Sequence, residues 1–292
     1  SAEDGSFSFE NIPYGTWYVR EIEQPAGFVL DDTIYPVTIG ADGQVVEIKI
    51  VNKYVRGNIH LTKVDSEYPD NKLTGATFEV YKDSNANGKL DDSDELLGTL
   101  TEKEKGEYSM NDLFYGRYFV KETKAPEGFV LDTGVYEVMI DTNGKTYEVE
   151  NKAGVGFINE AMRGNLKIVK TSSDGKVKGF AFRITGANGY DIILETNDKG
   201  EIFIDGLRIG DYTISEVSNS ASSMYVLPAD KKATVKLGST TIVEMHNVLR
   251  DTPKTGDTTN LPLLYALAGL SAVGIAVCGV IGFKKKKKED RN

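Results

Sequence analysis

The chain holds a single cysteine, Cys278, among 292 residues, and that cysteine lies inside the one long apolar run near the C-terminus. No disulfide can form within the chain, so the rest of it must be stabilised by other means. Histidine is almost as scarce. His60 and His246 are the two present, and no metal cluster or Ser-His-Asp set can be assembled around them. Each alternates to the face opposite its neighbouring lysine or asparagine and reads as exposed. No glycine-rich phosphate loop follows a strand. Positive charge is also short, with 34 Lys and Arg against 44 Asp and Glu. Without residues 256–292 the balance is 28 against 41, a net charge of −13. That balance argues against nucleic acid and anionic lipid as partners. Amphipathic helical periodicity is missing outside the apolar run.

The C-terminus carries an ordered set of signals. Thr252-Pro253-Lys254-Thr255-Gly256 comes first, then a polar spacer to residue 260, then 23 uncharged residues from Leu261 to Phe283, then Lys284 to Lys288. As a helix the apolar run would extend about 34 Å, enough to cross a bilayer core. The lysine block predicts a cytoplasmic C-terminus with residues 1–251 outside. This tail resembles the cell-wall sorting signal of Gram-positive surface proteins, with Thr252 where an LPxTG-like motif has leucine. The resemblance implies a sortase that cleaves after Thr255 and joins its carbonyl to a peptidoglycan or pilin amine. A permanent single-span anchor is the plainer alternative. Ser1 is not a start methionine and no signal peptide precedes it, so the sequence reads as the C-terminal part of a longer exported chain.

Internal repeats organise the remainder. Gly15 to Asp31 and Gly116 to Asp132 match position for position in spacing, through Glu21 and Glu122 and on to Gly-Phe-Val-Leu-Asp. Gly210 to Val217 is a weaker third copy without the Pro-x-Gly turn. Asn52 to Lys63 parallels Asn159 to Lys170 without a gap. Short alternating runs punctuated by Asp42-Gly43, Asn143-Gly144, Asp174-Gly175 and Lys199-Gly200 predict β-strands and hairpins. The expected organisation is a truncated module over 1–56, modules over 57–162 and 163–250, a motif and spacer over 251–260, a transmembrane helix over 261–283 and a basic tail over 284–292. The predicted fold class is all-β, tandem β-sandwich modules followed by one C-terminal transmembrane helix.

Charged residues recur where strand alternation predicts an apolar face. Lys63 shares a face with Ile59 and Leu61, and Glu122 with Tyr118 and Val120. Lys170 aligns with Leu166 and Ile168, Glu216 with Tyr212 and Ile214, and Asn247 with Val243 and Met245. In the first module Glu21 aligns with Trp17 and Val19, and Asn52 with Ile48 and Ile50. Isolated charges on such faces are costly. Burial lowers a lysine pKa and raises a glutamate pKa. A neutral amine beside a protonated acid can attack an asparagine amide, expel ammonia and leave a Lys–Asn isopeptide bond.

These modules resemble the Cna-B/SpaA-type domains of Gram-positive adhesins and pilins. The resemblance implies a prealbumin-like sandwich, related to the immunoglobulin-like architecture. It also implies a bond from a first-strand lysine to a last-strand asparagine, assisted by a central glutamate. Matching residues are Lys63 and Glu122; Lys170, Glu216 and Asn247; and Glu21 with Asn52, whose lysine would lie upstream. The second module offers two asparagines. Asn151 lies 29 residues after its glutamate, against 31 in the other modules; Asn159 lies 11 residues before the next lysine, as Asn52 does. The ungapped junction favours Asn159, with Asn151 the alternative.

Asp83-Ser84-Asn85-Ala86-Asn87-Gly88-Lys89-Leu90-Asp91-Asp92-Ser93-Asp94 fits a calcium-loop pattern through Asp83, Asn85, Asn87, the Lys89 carbonyl, Asp91 and Asp94. It equally fits an acidic hairpin tip. No cofactor is required, and structural Ca2+ is the one candidate. The sequence therefore reads as the stalk of a cell-wall-anchored surface protein, not an enzyme. Its partners would be a sortase, a peptidoglycan or pilin amine and a host matrix or cell-surface ligand. Rival readings are a polymerising pilin subunit, a module that itself binds host ligand, and the anchor of a surface enzyme.

Overall fold

The structure is a computed structural model and describes residues 5–251. The sorting pentapeptide from Thr252, the apolar run and the lysine block lie outside the described residues. Within them the regular secondary structure is all β-strand apart from one short 3-10 turn at Ala187–Gly189.

The second and third modules are each two sheets packed face to face, as alternating strands with one apolar side require. In the second, one sheet runs Val135–Ile140, Gly116–Lys124, Thr77–Lys82, Glu95–Thr99. The other holds Arg56–Asp65 at its centre, beside Glu107–Phe114 and Thr101–Glu104, with Thr146–Glu148 and Phe157–Asn159 along its remaining edge. In the third module the sheets are Glu201–Arg208, Arg163–Ser172, Thr240–Leu249, Tyr225–Val226 and Asp191–Glu195, Ala181–Thr185, Gly210–Val217, Lys231–Val235. Each sandwich closes its own core, around Ile59, Phe78, Val120 and Phe157 in one and Ile168, Phe182, Ile214 and Met245 in the other.

The first and last strands of each sandwich are parallel neighbours. Arg163–Ser172 pairs with Thr240–Leu249 in unbroken register, from Asn165 opposite Thr240 to Ser172 opposite Asn247. In the second module the last strand is split. His60 faces Glu148, but Lys63 faces Phe157, so six extra residues loop out between the two halves. That excursion explains why Asn159 lies 37 residues from Glu122 where the third module has 31.

One corner repeats in all three modules. Gly15, Gly116 and Gly210 hold φ of 141°, 146° and 133°, a region that side chains disfavour. Two residues on, an aromatic side chain donates to the carbonyl four residues before it. Trp17 Nε1 reaches Pro13 at 2.9 Å, Tyr118 Oη reaches Phe114 at 2.7 Å and Tyr212 Oη reaches Arg208 at 2.9 Å. The first module has only two small two-stranded sheets, and Trp17 and Phe9 remain exposed.

The junctions repeat as well. The Val55 N–H donates to Gly27 and its carbonyl accepts from Tyr115; the Met162 N–H donates to Gly128 and its carbonyl accepts from Ile209. Each linker residue is thus hydrogen-bonded to the module before it and the module after it.

Candidate functional site

Strand alternation places Lys63 on the core side of Arg56–Asp65, and its side chain is fully buried. Its Nζ donates to the Phe157 carbonyl at 3.0 Å and lies 5.3 Å from the Phe157 ring. Burial pushes the Lys63 amine down to about 8, against the pull of Glu122, Asp132 and Asp65. Glu122 comes from the facing sheet, also with no solvent exposure. Its Oε2 accepts from Asn159 Nδ2 at 2.7 Å and from the Asp132 N–H at 2.8 Å. Desolvation raises the Glu122 carboxyl above the ordinary range, although the Asn159 and Asp132 donors and Lys63 oppose it.

The third module repeats the arrangement. Lys170 and Asn247 are buried, and Glu216 is nearly so. Lys170 Nζ donates to the Thr171 carbonyl and lies 4.1 Å from the Phe180 ring. Glu216 Oε1 accepts from Asn247 Nδ2 at 2.7 Å. Burial lowers the Lys170 amine and raises the Glu216 carboxyl. The asparagine stands in the same register in both. Lys63 faces Phe157 and Asp65 faces Asn159; Lys170 faces Met245 and Ser172 faces Asn247. Each asparagine therefore lies two positions past its lysine's partner.

Both sites strand the same two atoms. Glu122 Oε1 and Asn159 Oδ1, and likewise Glu216 Oε2 and Asn247 Oδ1, are buried oxygens without a hydrogen-bond partner. An ionised carboxyl and an amide oxygen are both acceptors, so neither supplies the other with a donor, whereas a protonated carboxyl carries one.

Asn151 lies elsewhere. Its Nδ2 donates to Asp132 Oδ2 at 2.7 Å and to the Ile158 carbonyl at 2.8 Å, and its Oδ1 accepts the Ile158 N–H at 2.6 Å. It pins the looped-out residues against the last strand. In the first module Asn52 Nδ2 lies 2.7 and 2.9 Å from the Glu21 oxygens, so two of the three residue types meet there.

Asp132 was not foreseen as part of the site. It binds Tyr136 Oη at 2.9 Å as well as Asn151, and the first module copies this with Tyr35 Oη to Asp31 at 2.5 Å. The signal was present in the repeated Gly-Phe-Val-Leu-Asp segments, each followed four residues on by a tyrosine.

The calcium pattern does not become a cage. Asp83 accepts the Asn87 and Gly88 N–H groups and lies 3.4 Å from Arg117 Nη1. Asn85 and Asn87 turn amide nitrogens toward Asp91. Asn87 Oδ1 caps the Lys89 N–H, and Asp94 caps the Ser84 and Asp91 N–H groups. Among the described residues no three acidic, histidine or cysteine side chains gather as a metal site. The loop is held by its own backbone donors and an arginine. His60 also departs from expectation. It is half-buried, with Nε2 2.9 Å from Glu107 and Nδ1 2.6 Å from Glu148.

Comparison with known proteins places these modules. Residues 1–54, 57–153 and 164–248 each match the SpaA prealbumin-like fold domain. The chain belongs to this family. It is 30% identical over 196 residues to the trypsin-resistant surface T6 protein of Streptococcus pyogenes serotype M6, covering 65% of this chain and 32% of that protein. It thus spans about a third of that relative. The TIE protein of Bacillus anthracis superposes with a TM-score of 0.61 at 26% identity, over 81% of this chain and 42% of that one. A streptococcal ancillary pilin aligns over 82% of this chain and 76% of its own at 22% identity, with a TM-score of 0.30. The chain is thus similar in sequence to a streptococcal surface protein and in fold to the Bacillus anthracis TIE protein.

Proposed function

We propose that the chain is the stalk of a cell-wall-anchored surface protein whose modules close themselves through Lys63–Asn159 and Lys170–Asn247 isopeptide bonds. The observation that carries this reading is the duplicated site: the same register, the same Glu–Asn hydrogen bond and the same two orphaned oxygens in two sandwiches. In the reaction the neutral lysine Nζ attacks the asparagine Cγ. The glutamic acid proton passes to Oδ1 as the new C–N bond forms. Glutamate then takes a proton from the former amine and delivers it to Nδ2, the Cγ–Nδ2 bond breaks as ammonia leaves, and the Oδ1 proton returns to the carboxylate. The acid is regenerated and no outside reagent is consumed. The dry pocket favours the uncharged forms of the amine and the acid while holding them in place.

The bond would join the first strand to its parallel neighbour, the last. Tension entering at Lys63 would leave at Asn159 and bypass everything between. The trypsin resistance recorded in the streptococcal relative's name is the behaviour expected of such modules. Attachment through Thr255 rests on the pentapeptide, apolar run and lysine block read from the sequence.

Intact mass of the chain tests the crosslinks. Each bond removes one ammonia, about 17 Da, so two bonds give a deficit of about 34 Da. Full mass in folded protein would overturn the reading. Incubation with a sortase and a small amine acceptor should release residues 256–292. A ladder of chains joined to one another would instead favour the pilin reading.

A further inference from the structure

The second module differs from the third at one buried place beside its lysine. Asp65 lies two residues beyond Lys63 on the same strand, so both project to one face, and it has no solvent exposure. The third module has Ser172 at the matching register. A carboxylate there opposes the proposed chemistry, because it competes for the amine and favours its charged, unreactive form. Three carboxylates act on Lys63: Glu122, Asp132 and Asp65. Glu122 is the proposed acid. Asp132 is engaged by Tyr136, Asn151 and the Gly134 N–H.

Asp65 is engaged from the next module. Arg208 Nη1 lies 2.6 Å from Asp65 Oδ2 and Nη2 lies 2.7 Å from Oδ1, a two-pronged pair. The same guanidinium meets Glu67 at 2.9 Å and lies 4.8 Å from the Tyr68 ring. Its backbone is fixed by the Tyr212 hydroxyl at the repeated corner. The remaining donors to Asp65 are the Glu67 and Tyr68 N–H groups. Among the described residues Arg208 is the cation that forms an ion pair with Asp65.

We propose that Arg208 is a positioning residue for the Lys63–Asn159 bond: by docking on Asp65 it frees the Lys63 amine to react, so the second module closes at full rate only once the third has folded against it. This rests on the crosslinking reading above. Breaking a buried pair leaves the remaining charge without compensation, and Asp65 already acts on the charge of Lys63, which shares its strand face. The third module, with Ser172, closes without such help.

The test follows bond formation in the full 292-residue chain, synthesised cell-free, held in urea and diluted into buffer. Acid-quenched samples are digested, and the two crosslinked peptides are timed separately by mass. Arg208→Gln should slow Lys63–Asn159 formation by about tenfold, the scale of one pKa unit, and leave Lys170–Asn247 unchanged. Adding Asp65→Ser to Arg208→Gln should restore the wild-type rate, and Asp65→Ser alone should form the bond at least as fast as wild type. An Arg208→Gln chain that closes at the wild-type rate overturns the proposal. So does a double variant that stays slow, since a merely loosened junction would not be mended by removing a carboxylate. If the wild-type chain forms neither bond, the failure belongs to the crosslinking reading instead.

Discussion

At the scale of single residues, the proposed chemistry depends on where one proton sits. Lys63 is lowered to about 8 and Glu122 is raised, both by burial. The competent form carries a neutral amine and a protonated acid, which together hold one proton. Below the raised Glu122 value the amine is also protonated and cannot attack. Above about 8 the site has lost that proton and Glu122 cannot act as an acid. The rate of the mass loss in the refolding assay should therefore be bell-shaped in pH, with its alkaline limb near 8. Glu122→Gln keeps the size of the side chain but cannot exchange protons. It should abolish the Lys63–Asn159 peptide while Glu216 still completes its own bond, seen as a deficit of about 17 Da rather than 34. Asn151→Ala should leave both bonds intact, because Asn151 contacts Asp132 and Ile158.

At the scale of elements, the reactive lysine is held by a glycine hairpin in both sandwiches. The Lys63 N–H donates to Gly106 at 2.7 Å and the Lys170 N–H donates to Gly200 at 2.8 Å. Gly106 and Gly200 have φ of 73° and 77°. A methyl on Gly106 would come within 2.9 Å of the Lys63 carbonyl, and one on Gly200 within 2.7 Å of the Lys170 carbonyl. Neither backbone can yield without moving the lysine strand. Gly200→Ala should cost about 1–3 kcal/mol in the third module and slow its crosslink. Urea unfolding together with the timed peptide assay checks both.

At the scale of the molecule, the bonds would replace what cysteine cannot provide. A link across the 77 residues from Lys170 to Asn247, or the 96 from Lys63 to Asn159, constrains the unfolded chain. By analogy with disulfides each is worth about 4–5 kcal/mol. For modules of this size, losing one should lower the melting temperature by roughly 20 °C. Asn159→Ala should shift one calorimetric transition by that amount and leave the other in place. A single shared shift would mean that the two sandwiches melt as one unit through their hydrogen-bonded junction.

The sequence by itself determined the β architecture, the repeat and most of the site. Side chains alternate with a period of two, so Lys63, Glu122, Lys170, Glu216 and Asn247 could be placed on apolar faces without coordinates. Repetition made a shared role more plausible than chance. Tertiary structure decided what depends on register and on distant pairing. Spacing from Glu122 pointed to Asn151 and the ungapped junction to Asn159, because a six-residue loop lies between two halves of one strand and only the partner strand reveals it. Asp132 was visible as a repeated letter but not as a neighbour of Lys63. The contacts within the Asp83–Asp94 loop were not legible, because local spacing does not fix which way an amide turns and because Arg117 arrives from another strand. Arg208 and Asp65 are 143 residues apart, and only the folded junction between modules brings them together.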